Sequence, residues 1–170
     1  YFTMRDLTAQ EKQAMNLVVR EEDKCRIIGQ SRTTKIVDYT PPVGTLLPFH
    51  ASACGKVLLA YAPEAIRDAI LSSIDYVKMT KSTITSREDL ENELEKIRTQ
   101  GYAVDAHESQ EEGFCMAVPV FDPDGGVLAA LSFSGFIGQR DVDEVDRYVK
   151  LLKQASEKIT ANVFGLPENN

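Results

Sequence analysis

The segment LPFHASACGKVLLA (47–60) places small side chains and a thiol where a helix is predicted to begin. Its opening turn contains Ser52, Ala53, Cys54 and Gly55. Small side chains leave space beside a helix start, and the first amides of a helix have no intrahelical acceptor, so they attract anions. A reactive thiol, a phosphate-binding loop and a docking site for a small anion are the three alternatives.

The Gly55-Lys56 pair does not fit a phosphate-binding loop. Such a loop needs a glycine five positions before its last glycine, but His50 occupies that position. It also needs Ser or Thr after the lysine to hold magnesium, whereas Val57 follows here. The sequence therefore predicts that Lys56 is a solvated helix residue.

The thiols could support nucleophilic or metal chemistry, but buried thiols that line a core or a cavity are the favoured interpretation. Cys54 lies in a first helical turn, where the helix dipole favours a thiolate, and Cys115 lies in a predicted strand. A catalytic cysteine needs a histidine base, and the positions of His50 and His107 indicate no triad. A metal site from these four side chains lacks closely spaced ligand pairs.

Two predicted strands carry small or hydroxylic side chains on one face. Alternation places Ser132 and Ser134 on one face of the strand 127–134, and Cys115 and Ala117 share a face of the strand 114–121. A core would normally be filled with bulkier groups at such positions. The favoured interpretation is a ligand pocket, and satisfied core serines are the alternative.

The acidic run DAHESQEE (105–112) could form a general acid–base site, although a charge run between strands is more often a solvated loop. Asp105 is an exception because it ends a strand. A carboxylate there can point into a cavity and accept hydrogen bonds.

Hairpins dominate the predicted elements, and no repeated βαβ unit is present. This order predicts an α+β fold with a mainly antiparallel sheet and helices packed on it. The predicted helices cover a segment ending near 13, then 51–61, 63–72, 87–100 and 142–164, and the strands cover 14–20, 24–31, 35–39, 102–106, 114–121 and 127–134.

Several helix boundaries are predicted from their capping residues. The segment 85–88 (TSRE) reads as a capping box that opens a helix ending at Gly101. Pro63 is expected at the first position of a helix, and Asp141 is expected to cap the last helix, which Gly165 ends.

Composition restricts the class of protein. The chain has 170 residues and a net charge of -7, and such a surface repels phosphate backbones, so nucleic-acid binding by this segment is not expected. Three cysteines make a disulfide framework improbable and indicate reduced thiols. No apolar run approaches the roughly 20 residues of a membrane span. The start at Tyr1 suggests a piece of a longer protein.

Four segments together resemble a known family. They are LPFHASACGKVLLA (47–60), TITSREDL (83–90), IRTQGYAVDAHE (97–108) and GFCMAVPVFDPDGGVLAALSFSG (113–135). In this order they resemble the effector-binding domain of IclR-type bacterial transcriptional regulators, and the resemblance runs over 16–165.

The resemblance implies a GAF- or PAS-like fold, with a curved antiparallel sheet flanked by helices, and residues 1–170 as a single effector-binding domain. It implies a small-molecule effector, in particular a carboxylic acid, without catalysis or a cofactor. It also implies a cytoplasmic homodimer or homotetramer that has no membrane contact. DNA would be bound only through an N-terminal winged helix-turn-helix domain, which this chain lacks.

The resemblance also implies the ligand-binding residues. Transferred by position, they are Ala53, Cys54, Gly55, Asp105, Cys115, Ser132 and Ser134. Ser52, in the same opening turn, is a further candidate for the site. The family pattern Asp-Asp-Glu-Glu is replaced here by Asp-Ala-His-Glu at 105–108.

Two rival functions remain at this stage. One is a GAF-type thiol enzyme, such as a free methionine sulfoxide reductase, which would need Cys54 as an accessible thiolate with Cys115 as its partner. The other is a dimerisation module without a ligand, for which a filled interior is expected.

Overall fold

The computed structural model describes residues 2–33, 40–137 and 142–167. Within these residues the elements follow the order α1 (Phe2–Glu11), β1 (Ala14–Glu21), β2 (Lys24–Ser31), β3 (Leu46–Leu47), α2 (Ala53–Ala60), α3 (Glu64–Ser73), α4 (Arg87–Gln100), β4 (Ala103–Ala106), β5 (Gly113–Phe121), β6 (Val127–Ile137) and α5 (Val142–Phe164).

The six strands form one antiparallel sheet in the order β3-β2-β1-β6-β5-β4. The register shifts between Leu17 and Val18 and at two points in β5, and such bulges bend strands and increase their twist. The predicted α+β class with a curved antiparallel sheet is confirmed.

Each face of the sheet packs against its own set of helices. Helices α2, α3 and α4 cover one face, and α1 and α5 cover the other. Alternation in β6 assigns its residues to these layers: Ala130 faces α2, whereas Leu131 and Phe133 face α5. The predicted faces of this strand are therefore confirmed.

Both hairpins predicted from the sequence are present. The β1–β2 hairpin lies where the sequence predicts it, and Asp122 shapes the β5–β6 turn by accepting hydrogen bonds from the amides of Asp124 and Gly126. The predicted strand 35–39 and the predicted cap Asp141 lie outside the described residues.

The predicted helix boundaries hold to within one or two residues, with two corrections. The N-cap of α4 is Ser86, whose Oγ accepts the Asp89 amide at 3.1 Å and donates to the Asp89 carboxylate at 2.6 Å. The capping box therefore begins one residue later than predicted. Pro63 is the N-cap residue of α3 and not its first residue, whereas Gly101 ends α4 at φ 80° as predicted.

The prediction that Lys56 is solvated is wrong. Every residue of α2 is buried, because this short helix lies between the sheet and α4. Lys56 is 0% exposed, and its ammonium group donates to the Glu108 carboxylate at 2.7 and 2.8 Å. It also donates to the Val104 carbonyl at 2.7 Å and to Glu93 at 3.3 Å.

The same ion pair corrects the prediction of a solvated loop at 105–112 for Glu108, whereas the residues at 110–112 are exposed as predicted. Glu108 is only 8% exposed. Burial raises the pKa of its carboxyl group, while the positive charge of Lys56 acts in the opposite direction. Among the described residues, no helix combines the length and the apolar composition that crossing a membrane requires.

Replacing Lys56 by Met should destabilise the fold by about 3–5 kcal/mol, because it leaves the Glu108 carboxylate buried without its counter-charge. The double variant Lys56→Met/Glu108→Gln should recover much of that loss. Urea denaturation measures both, with Lys96→Met as the control, since Lys96 lies on the exposed face of α4. Equal stability of Lys56→Met and Lys96→Met would contradict the structural role of the pair.

Candidate functional site

A cavity of about 220 Å³ lies between the α2 face of the sheet and the start of α2. The strands β1, β2, β5 and β6 form its floor, and the segments 41–48 and 105–113 contribute its sides together with Met79. Its lining consists of Asn16, Ile27, Pro41, Thr45, Leu46, Leu47, Pro48, Ser52, Ala53, Cys54, Met79, Asp105, Ser109, Gln110, Gly113, Cys115, Ser132 and Ser134.

The cavity brings together most of the site residues predicted from the sequence. Seven of them border it: Ser52, Ala53, Cys54, Asp105, Cys115, Ser132 and Ser134. Gly55 does not border it, and its amide donates to Ser52 Oγ at 3.0 Å, so that amide is already used within the protein.

Gly55 has a packing role at the helix start. A Cβ atom at this position would lie 2.5 Å from the Pro48 carbonyl oxygen and 2.8 Å from the Phe49 Cα. Ser52 closes the same turn, because its hydroxyl donates to the Pro48 carbonyl at 2.6 Å. The preceding segment thus packs tightly on α2 and leaves the first two helical amides, those of Ala53 and Cys54, without an intrahelical acceptor.

Burial controls the chemistry of the cavity thiols. It raises the pKa of Cys54 to about 12, although a hydrogen bond with Ser132 acts in the opposite direction. The expected stabilisation of a Cys54 thiolate by the helix dipole is therefore outweighed by desolvation. Cys25, Cys54 and Cys115 are all free thiols. A thiolate mechanism is disfavoured by this environment.

One wall of the cavity is a row of hydrogen-bonded polar groups across three neighbouring strands. Asn16 pairs in register with both Ser132 and Gln30. Its Nδ2 donates to Ser134 Oγ at 2.9 Å, and the hydroxyls of Ser132 and Ser134 lie 3.3 Å apart. Asn16 was not among the predicted site residues. Its amide side chain within the apolar run AMNLVVR, two residues from Val18 and on the same strand face, was a usable signal.

Asp105 both borders the cavity and organises the loop beside it. It lies opposite Cys115 in the β4–β5 register. Its carboxylate accepts the amides of Glu108 at 2.8 Å and Ser109 at 3.3 Å, and the Ser109 hydroxyl at 2.5 Å. Burial raises the pKa of Asp105, and these hydrogen bonds oppose the rise. Ser109 and Gln110, which the sequence analysis also missed, reach the cavity from this loop.

Two threonines attach that loop to the α3–α4 connection. The Thr83 hydroxyl donates to the Glu108 carbonyl at 2.7 Å, and the Thr80 hydroxyl donates to the His107 carbonyl at 2.5 Å. The other histidine, His50, donates from Nε2 to the Val77 carbonyl at 3.0 Å. Neither histidine borders the cavity, and the described part of the chain holds no group of three or more His, Cys, Asp or Glu side chains suited to a metal ion.

The lining indicates what the cavity can bind. Among the described residues, its polar groups are hydroxyls, side-chain amides, backbone amides and one carboxyl, with no cationic and no aromatic side chain. Such a set recognises a small oxygen-rich molecule through hydrogen bonds, and an anionic group is best stabilised at the start of α2. The two histidines that could serve as catalytic bases lie elsewhere, so the lining favours binding.

Comparison with known proteins identifies the family. The profile described as "Bacterial transcriptional regulator IclR C-terminal" matches residues 2–161. The HTH-type transcriptional regulator KdgR of Escherichia coli is 36% identical over 161 residues, which are 94% of this chain and 61% of that protein. The chain therefore spans less than two thirds of the length of this relative.

Solved structures share the fold. The C-terminal domain of E. coli KdgR superimposes with a TM-score of 0.85 at 35% identity, covering 94% of this chain and 93% of that one. Thermotoga maritima IclR gives 0.88 at 27% identity, covering 95% and 65%.

An IclR homologue from Microbacterium hydrocarbonoxydans, crystallised with 4-hydroxybenzoate, gives a TM-score of 0.85 at 25% identity and covers 96% of this chain and 65% of that one. The profile match, the related regulator and the shared fold agree. The chain therefore belongs to the IclR family of bacterial transcriptional regulators, as a C-terminal effector-binding domain.

Proposed function

We propose that this domain binds a small carboxylic acid in the cavity at the start of α2. The observation that carries the proposal is that one cavity combines the start of α2, whose first two amides lack an intrahelical acceptor, with a hydroxyl-rich wall. The acid's carboxylate would accept hydrogen bonds from the amides of Ala53 and Cys54, where the helix dipole also favours an anion. The hydroxyl or keto groups of the acid would reach Ser132, Ser134 or Asp105.

The electrostatics of the cavity support this orientation. The Asp105 side-chain oxygens already act as hydrogen-bond acceptors, so they favour donors such as hydroxyl groups over the carboxylate of an acid. Because the described lining holds no lysine, arginine or histidine, the helix dipole at the start of α2 is the main source of positive potential for a full negative charge, whereas Asn16 and the serines offer neutral donors. An acid therefore has one preferred direction in the cavity.

A solved relative supports the class of ligand. The Microbacterium hydrocarbonoxydans homologue was crystallised with 4-hydroxybenzoate, which is an aromatic carboxylic acid. The cavity also counts against the rival of a dimerisation module with a filled interior. The pKa of Cys54, raised to about 12, counts against the thiol enzyme.

Within the whole regulator, the proposed role is to convert acid binding into a change of DNA binding. The chain would act as a single domain, residues 1–170, in a cytoplasmic homodimer or homotetramer. DNA would be bound by a winged helix-turn-helix domain outside this chain, which agrees with the chain's net charge of -7. The acid can shift the regulator only if it binds one DNA-binding arrangement more tightly than the other.

A thermal-shift screen with glyoxylate, pyruvate, 4-oxopentanoate and 4-hydroxybenzoate should identify acids that stabilise the domain, by about 2.7 kcal/mol at 100 times the dissociation constant. Calorimetric titration of the tightest of them into Ser134→Ala should show a loss of roughly 0.5–1.5 kcal/mol for one hydrogen bond. Ser72→Ala is the control, since Ser72 is exposed on α3. An unchanged affinity in Ser134→Ala would remove Ser134 from the site.

Ala53→Leu should occlude the cavity while the domain stays folded, because the added methyl groups enter existing empty space beside a side chain that is 2% exposed. Acid binding should fall at least about tenfold, which is a loss of about 1.4 kcal/mol. Ala9→Leu, on the exposed side of α1, is the control. Binding by folded Ala53→Leu at the parent affinity would show that the acid sits elsewhere.

The isolated chain should not bind duplex DNA in a sequence-dependent manner, because its net charge of -7 repels phosphates. Fluorescence anisotropy with a labelled operator fragment at physiological salt tests this. Nanomolar, sequence-dependent binding would overturn the assignment of DNA recognition to another domain.

A further inference from the structure

A relay of hydrogen bonds of fixed direction starts at the Pro41 carbonyl and ends at the cavity wall. Gln30 Nε2 donates to the Pro41 carbonyl oxygen at 2.7 Å and to Asn16 Oδ1 at 2.8 Å. A backbone carbonyl can only accept, so it must face the nitrogen of the Gln30 amide. Because the same Gln30 nitrogen also donates to Asn16, the Asn16 atom that faces it must be the acceptor Oδ1.

This fixes the orientation of the Asn16 amide. Because Oδ1 is engaged by Gln30, Nδ2 lies on the opposite side and donates to Ser134 Oγ at 2.9 Å. Nδ2 carries two hydrogens, and among the described residues it has no second acceptor. The residue is only 3% exposed and borders the cavity, so one N–H is buried without a protein partner. Such a group is costly unless something in the cavity accepts its hydrogen bond.

The donor-to-acceptor direction of these hydrogen bonds also determines how the Ser134 hydroxyl is oriented. Its oxygen accepts from Asn16, so its own hydrogen must point to Ser132, 3.3 Å away, or into the cavity. This wall therefore presents donors, as does the start of α2. Two separate donor groups in one cavity match a molecule with two separate oxygen acceptors.

We propose that Asn16 is a ligand-binding residue whose free N–H donates to an oxygen acceptor of the bound acid remote from its carboxylate, and that Gln30 is the positioning residue that sets this polarity. The inference rests on the proposed function and narrows it to acids that carry a second acceptor, such as a keto group. Gln30 acts from outside, because it does not line the cavity.

The test compares 4-oxopentanoate with pentanoate, which keeps the carboxylate and the chain length but lacks the ketone. Calorimetry on the parent domain should show that 4-oxopentanoate binds roughly two- to tenfold more tightly, the contribution of one hydrogen bond. Asn16→Asp keeps the acceptor for Gln30 and removes the amide donor, so the preference for the keto acid should disappear. A merely structural Asn16 would change stability and leave the preference intact.

Gln30→Glu is the second variant. Position 30 does not itself line the cavity, although the change also removes the hydrogen bond to the carbonyl of the lining residue Pro41. A carboxylate at position 30 accepts hydrogen bonds, so the Asn16 amide should turn its Nδ2 toward it and present Oδ1 to the cavity. The preference for 4-oxopentanoate should again be lost. Gln10→Glu makes the same chemical change on the exposed side of α1 and should keep the preference.

The outcomes separate this inference from the proposed function. Binding of neither acid by the parent overturns the carboxylate site and this inference with it. Equal binding of both acids by the parent, or an equal loss for both acids in Asn16→Asp and Gln30→Glu, overturns the assignment of Asn16 alone.

Discussion

The buried ammonium group of Lys56 joins the helix that opens the cavity to the loop that borders it. Its three contacts come from β4 through the Val104 carbonyl, from the following loop through Glu108, and from α4 through Glu93. Removing a lysine from water is costly, and the cost is offset only when its donors are all satisfied in good geometry. These contacts therefore fix the position of α2 relative to β4, to α4 and to the loop that contains Glu108.

The loop at 107–112 is held by independent sets of contacts that meet at one residue. Glu108 binds Lys56 with its side chain, donates its amide to Asp105 and accepts from Thr83 at its carbonyl. A cavity wall fixed in this way loses little further conformational freedom when a ligand binds, and that favours affinity in a small cavity. Asp105 therefore does two things at once: it organises the loop and offers an acceptor to the cavity.

Local patterns predicted the sheet well because strand faces and hairpins depend on neighbouring residues. The alternation of Ser132 and Ser134 with Phe133 specifies a face directly, and glycine and aspartate mark the β5–β6 turn. Local patterns also singled out Cys54, Asp105, Cys115, Ser132 and Ser134 as candidates, whereas the full set of predicted residues was completed with the family resemblance. Seven of the eight predicted residues border one cavity.

Apart from the two corrections at helix N-termini, the main errors concern contacts between residues that are distant in the sequence. Lys56 meets Glu108 across 52 positions, and Asn16 meets Ser134 across 118. Patterns within a short window of sequence carry no information about such pairs, so the buried Lys56 was predicted to be solvated. Gly55 illustrates a different error. The sequence shows that a small residue is present, but only the structure shows that the Pro48 carbonyl, and not a ligand, occupies the space beside it.

The polarity of the cavity has a consequence for signalling. The donor wall depends on Gln30, and Gln30 depends on the Pro41 carbonyl, which belongs to the segment leading into the cavity. Under the proposal above, an occupant that accepts a hydrogen bond from Asn16 would stabilise this set of hydrogen bonds and, with it, the position of the segment at Pro41. Occupancy can alter the rest of a regulator only through elements with two arrangements that the ligand binds unequally. The segment at 41–48 is where the cavity could be coupled to such an element, because it borders the cavity and accepts side-chain hydrogen bonds from Gln30 and Arg26 in the sheet.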